Sequence, residues 1–83
     1  MKKVINGLLY DTDKSELIYT DLDKRRQYYM TKGRRFFVVY KTGEMATKTE
    51  EQMRILLGTY DYDAYVRVFG EPEEAWYYGM DNT

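Results

Sequence analysis

Few side chains in this sequence could carry out catalysis. It contains no His and no Cys, and Ser15 is the only serine. Ser15 has no histidine to activate it, and its place in the polar stretch 11–15 is typical of a residue that hydrogen-bonds nearby backbone. Carboxylates, Lys and Tyr remain as acids and bases, but 83 residues leave little room for a cleft that positions a substrate. We therefore expect a protein that is not an enzyme and uses no cofactor.

The spacing Asp-x-Asp could supply oxygen ligands for calcium or magnesium. It occurs three times, as Asp11/Asp13, Asp21/Asp23 and Asp61/Asp63. If Asp11 were position one of a calcium loop, Glu16 would stand where the loop needs glycine, and Leu22 where it needs an acidic ligand. We therefore predict turns or helix caps at all three pairs and no metal site.

Six basic residues fall between positions 24 and 35, interleaved with aromatic side chains. They are Lys24, Arg25, Arg26, Lys32, Arg34 and Arg35. Cations beside Tyr and Phe can bind nucleic acid, through phosphate attraction and base stacking, or can anchor a protein partner. A structural role stays open, in which the aromatics fill the core and the cations keep a strand edge solvated. We predict that these six residues form the partner-binding site.

The net charge of −1 conceals a division along the chain. Residues 1–48 carry eleven Lys or Arg against six Asp or Glu, a net of +5, whereas residues 49–83 carry two against eight, a net of −6. Such polarity steers association with a charged partner. Solvated surface charges, or pairing between the two halves, explain the same pattern.

The elements that must position these cations are strands. Tyr, Phe, Val and Ile are concentrated in residues 1–43 between short polar breaks, which predicts an antiparallel meander with strands at 4–10, 16–20, 26–31 and 34–41. A two-residue loop at Lys32-Gly33 pairs Tyr29 with Phe36 on one face of the hairpin. Because Lys is a poor residue for positive φ, a bulged turn could shift this register by one residue.

Short helices are expected over residues 49–78. A capping box at 49–52 precedes Met53, Leu56, Leu57 and Tyr60 at helical spacing, with Gly58 as the stop. A second helix runs from Asp61 to Gly70, and a third is expected over 71–78, where Trp76 closes the core. The fold class is therefore α+β: one domain, with a meander of three to four strands followed by two or three short helices.

Three segments resemble small accessory proteins of Gram-positive phages and mobile elements. They are VINGLLYDTD at 4–13, YMTKGRRFFV at 29–38 and YVRVFGEPEE at 65–74. In that group an "INGKLYDTDTA" strand and turn precede a "Y-x-T-K-x-G-x-F-F-L" hairpin. Here Leu8 replaces the usual Lys, and a glycine-rich segment after the hairpin is reduced to Thr42-Gly43-Glu44. The resemblance implies a gene carried by a mobile element, a setting in which anti-CRISPR proteins occur, and it supplies no catalytic residue.

We therefore expect an inhibitor of a bacterial defence system that binds and blocks a Cas effector protein in the cytoplasm of a bacterial host. The alternative is a small nucleic-acid-binding regulator that uses the same cations. A structural component of a virion is a third possibility. No stretch reaches the roughly 18 apolar residues of a membrane span, so no membrane partner is expected, and the oligomeric state is left open.

Overall fold

The fold is α+β, as the sequence predicts, with a four-stranded antiparallel meander, a separate two-stranded hairpin and two helices. The computed structural model describes residues 1–75. Its strands are β1 (Lys2–Ile5), β2 (Leu8–Asp11), β3 (Glu16–Thr20), β4 (Arg26–Met30), β5 (Phe36–Tyr40) and β6 (Met45–Lys48), and its helices are α1 (Glu50–Tyr60) and α2 (Tyr62–Phe69). The meander has the order β3-β4-β5-β6, and β1 pairs only with β2.

The first predicted strand, 4–10, is wrong because the chain reverses at Asn6-Gly7. Both residues have positive φ, 52° and 79°, which is the backbone of a tight two-residue hairpin turn and suits Asn followed by Gly. The two strands then pair Val4 with Leu9 and Ile5 with Leu8. This hairpin forms a layer of its own on one face of the meander.

The turn between β4 and β5 is one residue longer than the two-residue loop predicted from Lys32-Gly33. The Arg34 N–H donates to the Thr31 carbonyl at 2.9 Å, and the Thr31 N–H donates to the Arg35 carbonyl at 2.8 Å. Arg34, not Gly33, takes the left-handed backbone, with φ 63°. The bulged turn shifts the register by one residue, so that Tyr29 pairs with Phe37 and Met30 with Phe36.

This register sorts the aromatic side chains between two cores, one on each face of the meander. Toward the helices lies a larger core of eight buried residues: Ile18, Tyr28, Phe36, Val38, Met53, Leu57, Ala64 and Val68. Toward the hairpin lies a smaller core of Tyr10, Phe37 and Met45. Phe37 is fully buried there, with the Tyr10 ring edge-on at 5.4 Å and the Tyr29 ring stacked at 5.2 Å between centroids.

The helices begin where the sequence predicts. The Thr49 hydroxyl accepts from the Gln52 N–H at 3.1 Å, and the Gln52 side chain accepts from the Thr49 N–H at 2.9 Å, which confirms the capping box. Gly58 does not stop α1, which continues to Tyr60 because Asp61 ends α1 and caps α2. Of the four residues at helical spacing, Met53 and Leu57 are fully buried, whereas Tyr60 is 68% exposed.

Strand β6 lies beyond residue 43, where the prediction ended the strands. Its four residues pair with β5 in an unbroken register, which completes the meander. Residues 71–75 do not form the start of the expected third helix, and the rest of that segment, with Trp76, lies outside the described residues. Within residues 1–75, no helix combines the length and the apolar composition needed to cross a membrane.

Candidate partner-binding surface

The six predicted cations lie on one hairpin, β4–β5, but at its opposite ends. Lys24 and Arg25 are in the β3–β4 turn and Arg26 begins β4, whereas Lys32, Arg34 and Arg35 surround the β4–β5 turn. Strand β4 has five residues, and at roughly 3.4 Å per residue it separates the two groups by about 15 Å. The cations therefore form two groups with different surroundings.

The group at the start of β4 is largely neutralised by nearby acids. Arg25 lies 3.2 Å from Asp23, and Arg26 lies 2.8 Å from Asp21. The hydrogen bond to Asp21 raises the pKa of Arg26. The Asp21 carboxylate also accepts backbone N–H bonds from Arg25 and Arg26, at 2.9 and 3.2 Å, so it shapes the turn as well as pairing with the guanidinium. Arg25 and Arg26 thus hold a turn and are paired with acids, whereas the exposed Lys24 makes no ion pair among residues 1–75.

The group at the β4–β5 turn has free positive charge. Lys32 and Arg35 are exposed, and neither side chain makes an ion pair with another residue among 1–75. Arg34 differs, because its guanidinium donates to the Val68 carbonyl at 2.6 Å. Among the predicted cations, Lys32, Arg35 and Lys24 are thus exposed without an acidic partner within residues 1–75, and of these Lys32 and Arg35 lie together in one depression.

Two further cations that sequence reasoning missed join this group. Lys14 lines an open depression of about 610 Å³ with Lys32 and Arg34, and Lys48 lines a neighbouring one of about 390 Å³ with Arg34 and Arg35. Two acids, Asp13 and Glu16, share the first depression, and Glu16 is paired with Arg67. We name Lys14, Lys32, Arg35 and Lys48 the basic end. The topology assembles these residues from the segment before β3, the β4–β5 turn and β6, so no local pattern in the sequence reveals the group.

The side chains beside the basic end are aliphatic. A third depression, of about 310 Å³, is lined by Leu8 and Leu9 together with Lys14, Lys32 and Arg35. Leu8 is 40% and Leu9 48% exposed. Both are on the hairpin that the sequence prediction merged into one strand. The basic end therefore adjoins accessible apolar surface on the β1–β2 hairpin.

The aromatic residues that alternate with the cations in sequence face inward. Tyr28, Phe36 and Phe37 are buried, and Tyr29 is half-buried against the Phe37 ring. Burial raises the pKa of the Tyr28 phenol. Base stacking requires an accessible ring face, so these four aromatics belong to the fold and leave no stacking platform on this hairpin.

The cations of the helical part are used inside the fold. Arg54 pairs with Glu50 at 2.8 Å, donates to the Tyr65 hydroxyl at 3.1 Å and lies 4.3 Å from the Phe69 ring centroid, which joins α1 to α2. Arg67 pairs with Glu16 at 3.1 Å and joins α2 to β3. Both cations of the helices are thus engaged within the fold.

The Asp-x-Asp pairs act as turns and caps, which confirms the structural interpretation of that spacing. Asp11 accepts from the Asp13 N–H at 3.0 Å, Asp21 holds the β3–β4 turn, and Asp61 accepts from the Ala64 N–H at 3.1 Å to cap α2. The Ser15 hydroxyl donates to the Asp11 carbonyl at 2.7 Å. Across the described chain, no three His, Cys, Asp or Glu side chains come together as a metal site.

Comparison of the chain with protein-family models, with characterised proteins and with solved structures returns no match.

Proposed function

We propose that this protein is a non-enzymatic inhibitor of a bacterial defence system, of the anti-CRISPR type, that binds and blocks a Cas effector in the host cytoplasm. The observation that carries the proposal is the basic end, where Lys32 and Arg35 have no counter-ion among residues 1–75 and adjoin exposed Leu8 and Leu9. Cations beside accessible aliphatic groups suit a protein interface, in which charge steers association and apolar contact supplies affinity. The resemblance of three segments to phage accessory proteins directs the choice of partner.

A binding assay against purified Cas effectors of several types tests this proposal. We expect at least one effector to form a complex and to lose nuclease activity in proportion to the complex formed. The variant Lys32→Glu/Arg35→Glu should weaken that complex by about tenfold or more, because each reversal replaces an attraction with a repulsion at the interface. The proposal is wrong if none of the effectors forms a complex and the protein does not protect phage in CRISPR-bearing hosts.

Matched charge reversals identify which end of the hairpin binds. Lys24→Glu/Arg25→Glu makes the same change in net charge at the other end, where Arg25 already has Asp23 as its counter-ion. We expect a smaller loss of affinity from that pair than from Lys32→Glu/Arg35→Glu. Lys41→Glu, in the β5–β6 turn, measures the effect of half that change in net charge at a position outside both groups. Equal losses from both pairs would contradict the assignment to the basic end.

A nucleic-acid-binding regulator is the second candidate, and the four cations of the basic end favour it. Phosphate contacts release counterions, so affinity for DNA or RNA should then fall steeply with salt, and charge reversal at the four residues of the basic end should abolish it. The buried aromatics of the β4–β5 hairpin do not contribute base stacking beside these cations. Titration with duplex and single-stranded nucleic acid at low salt decides between the candidates. An inhibitor that binds only protein should show no affinity for nucleic acid and therefore no dependence of that affinity on salt.

A further inference from the structure

The two edges of the meander differ in how readily they accept another strand. Strand β3 has a register shift between Leu17 and Tyr19, and its Glu16 is tied to Arg67 of α2. A bulge of this kind protects an edge from pairing. Strand β6 has no such shift, since each of its four residues pairs in register with β5. Among residues 1–75, the open, regular edge of the sheet is therefore β6.

Alternation of hydrogen bonds along β6 shows which backbone groups are available. The Tyr40 N–H donates to the Glu44 carbonyl at 2.8 Å, so the next pair, Val39 and Met45, is a non-hydrogen-bonded pair, and so is Phe37 with Thr47. Met45 and Thr47 consequently direct their N–H and C=O groups away from β5. No residue among 1–75 accepts or donates a hydrogen bond to them there.

A groove lies between α1 and the sheet, and it reaches β6 at Lys48. It has a volume of about 360 Å³ and is mainly apolar, with Tyr28 and Lys48 from the sheet. The remaining lining residues come from α1: Gln52, Met53, Ile55, Leu56, Thr59 and Tyr60. Ile55 and Tyr60 are 65% and 68% exposed. A strand added at β6 can place alternate side chains in this groove while its backbone bonds to the edge.

The charges at one end of the groove specify what such a strand carries. Lys48, the last residue of β6, lines both the groove and the depression that contains Arg34 and Arg35, so the groove continues into the basic end. The only acid in that shared lining, Glu50, is held by Arg54 at 2.8 Å. Acidic side chains therefore suit the Lys48 end, and apolar side chains suit the end near Tyr60.

We infer that β6 receives an extended segment of the protein partner as a fifth, antiparallel strand, with acidic residues followed by alternating apolar residues. The antiparallel direction follows the rest of the sheet and places the acidic start of the segment at Lys48. This inference rests on the proposed function, because it adds the chemistry of the partner to the same surface. Backbone pairing supplies affinity here, and the groove and the basic end supply selectivity.

A fluorescent peptide tests the inference without the natural partner. Its sequence has a run of acidic residues followed by alternating Val and Thr, and a control peptide of the same composition has the acidic run last. We expect the first peptide to bind more tightly, with amide shifts centred on Met45 and Thr47. No binding of the first peptide, or equal binding of both, overturns the inference, and so does dimerisation of the protein through β6 in a sizing experiment.

Two variants address the edge and the groove separately. Thr47→Pro removes an outward N–H without removing a bond to β5, and Ile55→Glu puts a like charge on the groove wall without touching the sheet. Each should weaken binding of the peptide about tenfold, which corresponds to about 1.4 kcal/mol. The control Leu22→Glu, at a site 98% exposed in the β3–β4 turn, should leave binding of the peptide unchanged. Ile55→Glu keeps the test valid if Thr47→Pro fails to fold.

The same variants separate this inference from the proposed function. If a Cas effector complex is weakened by Lys32→Glu/Arg35→Glu but not by Thr47→Pro or Ile55→Glu, the proposed function stands and strand addition is wrong. If no Cas effector binds but the peptide binds with the stated dependence on Thr47 and Ile55, strand addition is supported and the choice of partner is wrong.

Discussion

The guanidinium of Arg34 donates a 2.6 Å hydrogen bond to the backbone carbonyl of Val68, one residue before the end of α2. Carbonyls in the last turn of a helix lack helical partners, and the helix dipole favours a cation there. Arg34 also holds φ 63°, a left-handed backbone that costs a non-glycine residue about 1–2 kcal/mol. The bond offsets this strain and joins the β4–β5 turn to the helical layer.

Substitution at Arg34 separates the bond from the strain. Arg34→Ala loses the bond and keeps the strain, so the free energy of unfolding should fall by about 1.5 kcal/mol. Arg34→Gly loses the same bond but relieves the backbone, so it should be more stable than Arg34→Ala by about 1 kcal/mol. Urea unfolding of the three proteins measures both differences. Equal stabilities of the two variants would show that the left-handed backbone carries no cost at this position.

The same bond explains why the hairpin register could not be read from the sequence. Lys32-Gly33 suggests that glycine takes the left-handed position, whereas the fold gives that position to Arg34. The partner that favours this arrangement, Val68, is 34 residues away. Local turn preference indicated that a bulge was possible. The contact that selects the bulge joins Arg34 of the β4–β5 turn to Val68 of α2.

The successful predictions rested on local signals, although not every local signal was recognised. Strand β3 at 16–20 and the capping box at Thr49 were identified correctly because turn residues and a four-residue motif suffice for them. The Asn6-Gly7 turn was a local signal that the apolar run around it obscured. The basic end was only half predictable, since Lys14 and Lys48 join Lys32 and Arg35 through sheet topology alone.

Substitution of two glycines by alanine should change stability in opposite directions. At Gly58, inside α1, an added Cβ meets the Tyr65 ring at 3.7 Å, an ordinary contact, so Gly58→Ala should raise the free energy of unfolding by about 0.5–1 kcal/mol through helix propensity. At Gly43, φ 95° is unfavourable for alanine, so Gly43→Ala should lower the free energy of unfolding by about 1 kcal/mol or more. Thermal unfolding followed by circular dichroism measures both. A loss of stability in Gly58→Ala would contradict the packing of Tyr65 over this glycine.

The β3–β4 turn should weaken in acid through Asp21. Partial burial raises the pKa of Asp21, but hydrogen bonds from the Arg26 side chain and from the Arg26 and Arg25 backbone outweigh it, so the pKa lies below its ordinary value. A lowered pKa in the folded state means that the carboxylate stabilises the fold above about pH 4 and that this contribution is lost as pH falls further.

Comparison with Asp21→Asn isolates that contribution. The variant should be less stable than the wild type at pH 7, and the difference should shrink as the pH is lowered below about 4. Urea unfolding across this range measures it. Asp23→Asn is the matched control: the ion pair of Asp23 with Arg25 is exposed, with side chains 62% and 74% accessible, so its effect should be small throughout. A difference for Asp21→Asn that stays constant with pH would contradict the role of the carboxylate.

Attachment of the β1–β2 hairpin should depend on Phe37. This fully buried ring contacts Tyr10 edge-on and Tyr29 face-on, and with Met45 it forms the core on that side of the sheet. Phe37→Leu keeps the site apolar but loses both ring contacts, each worth about 0.5–1.5 kcal/mol. Hydrogen exchange should therefore accelerate in β1 and β2 more than in α1. Met53→Leu, a nearly volume-conserving change in the opposite core, should give the reverse pattern with a total cost below about 1.5 kcal/mol. Uniform acceleration across all elements in Phe37→Leu would show that the two cores unfold as one unit.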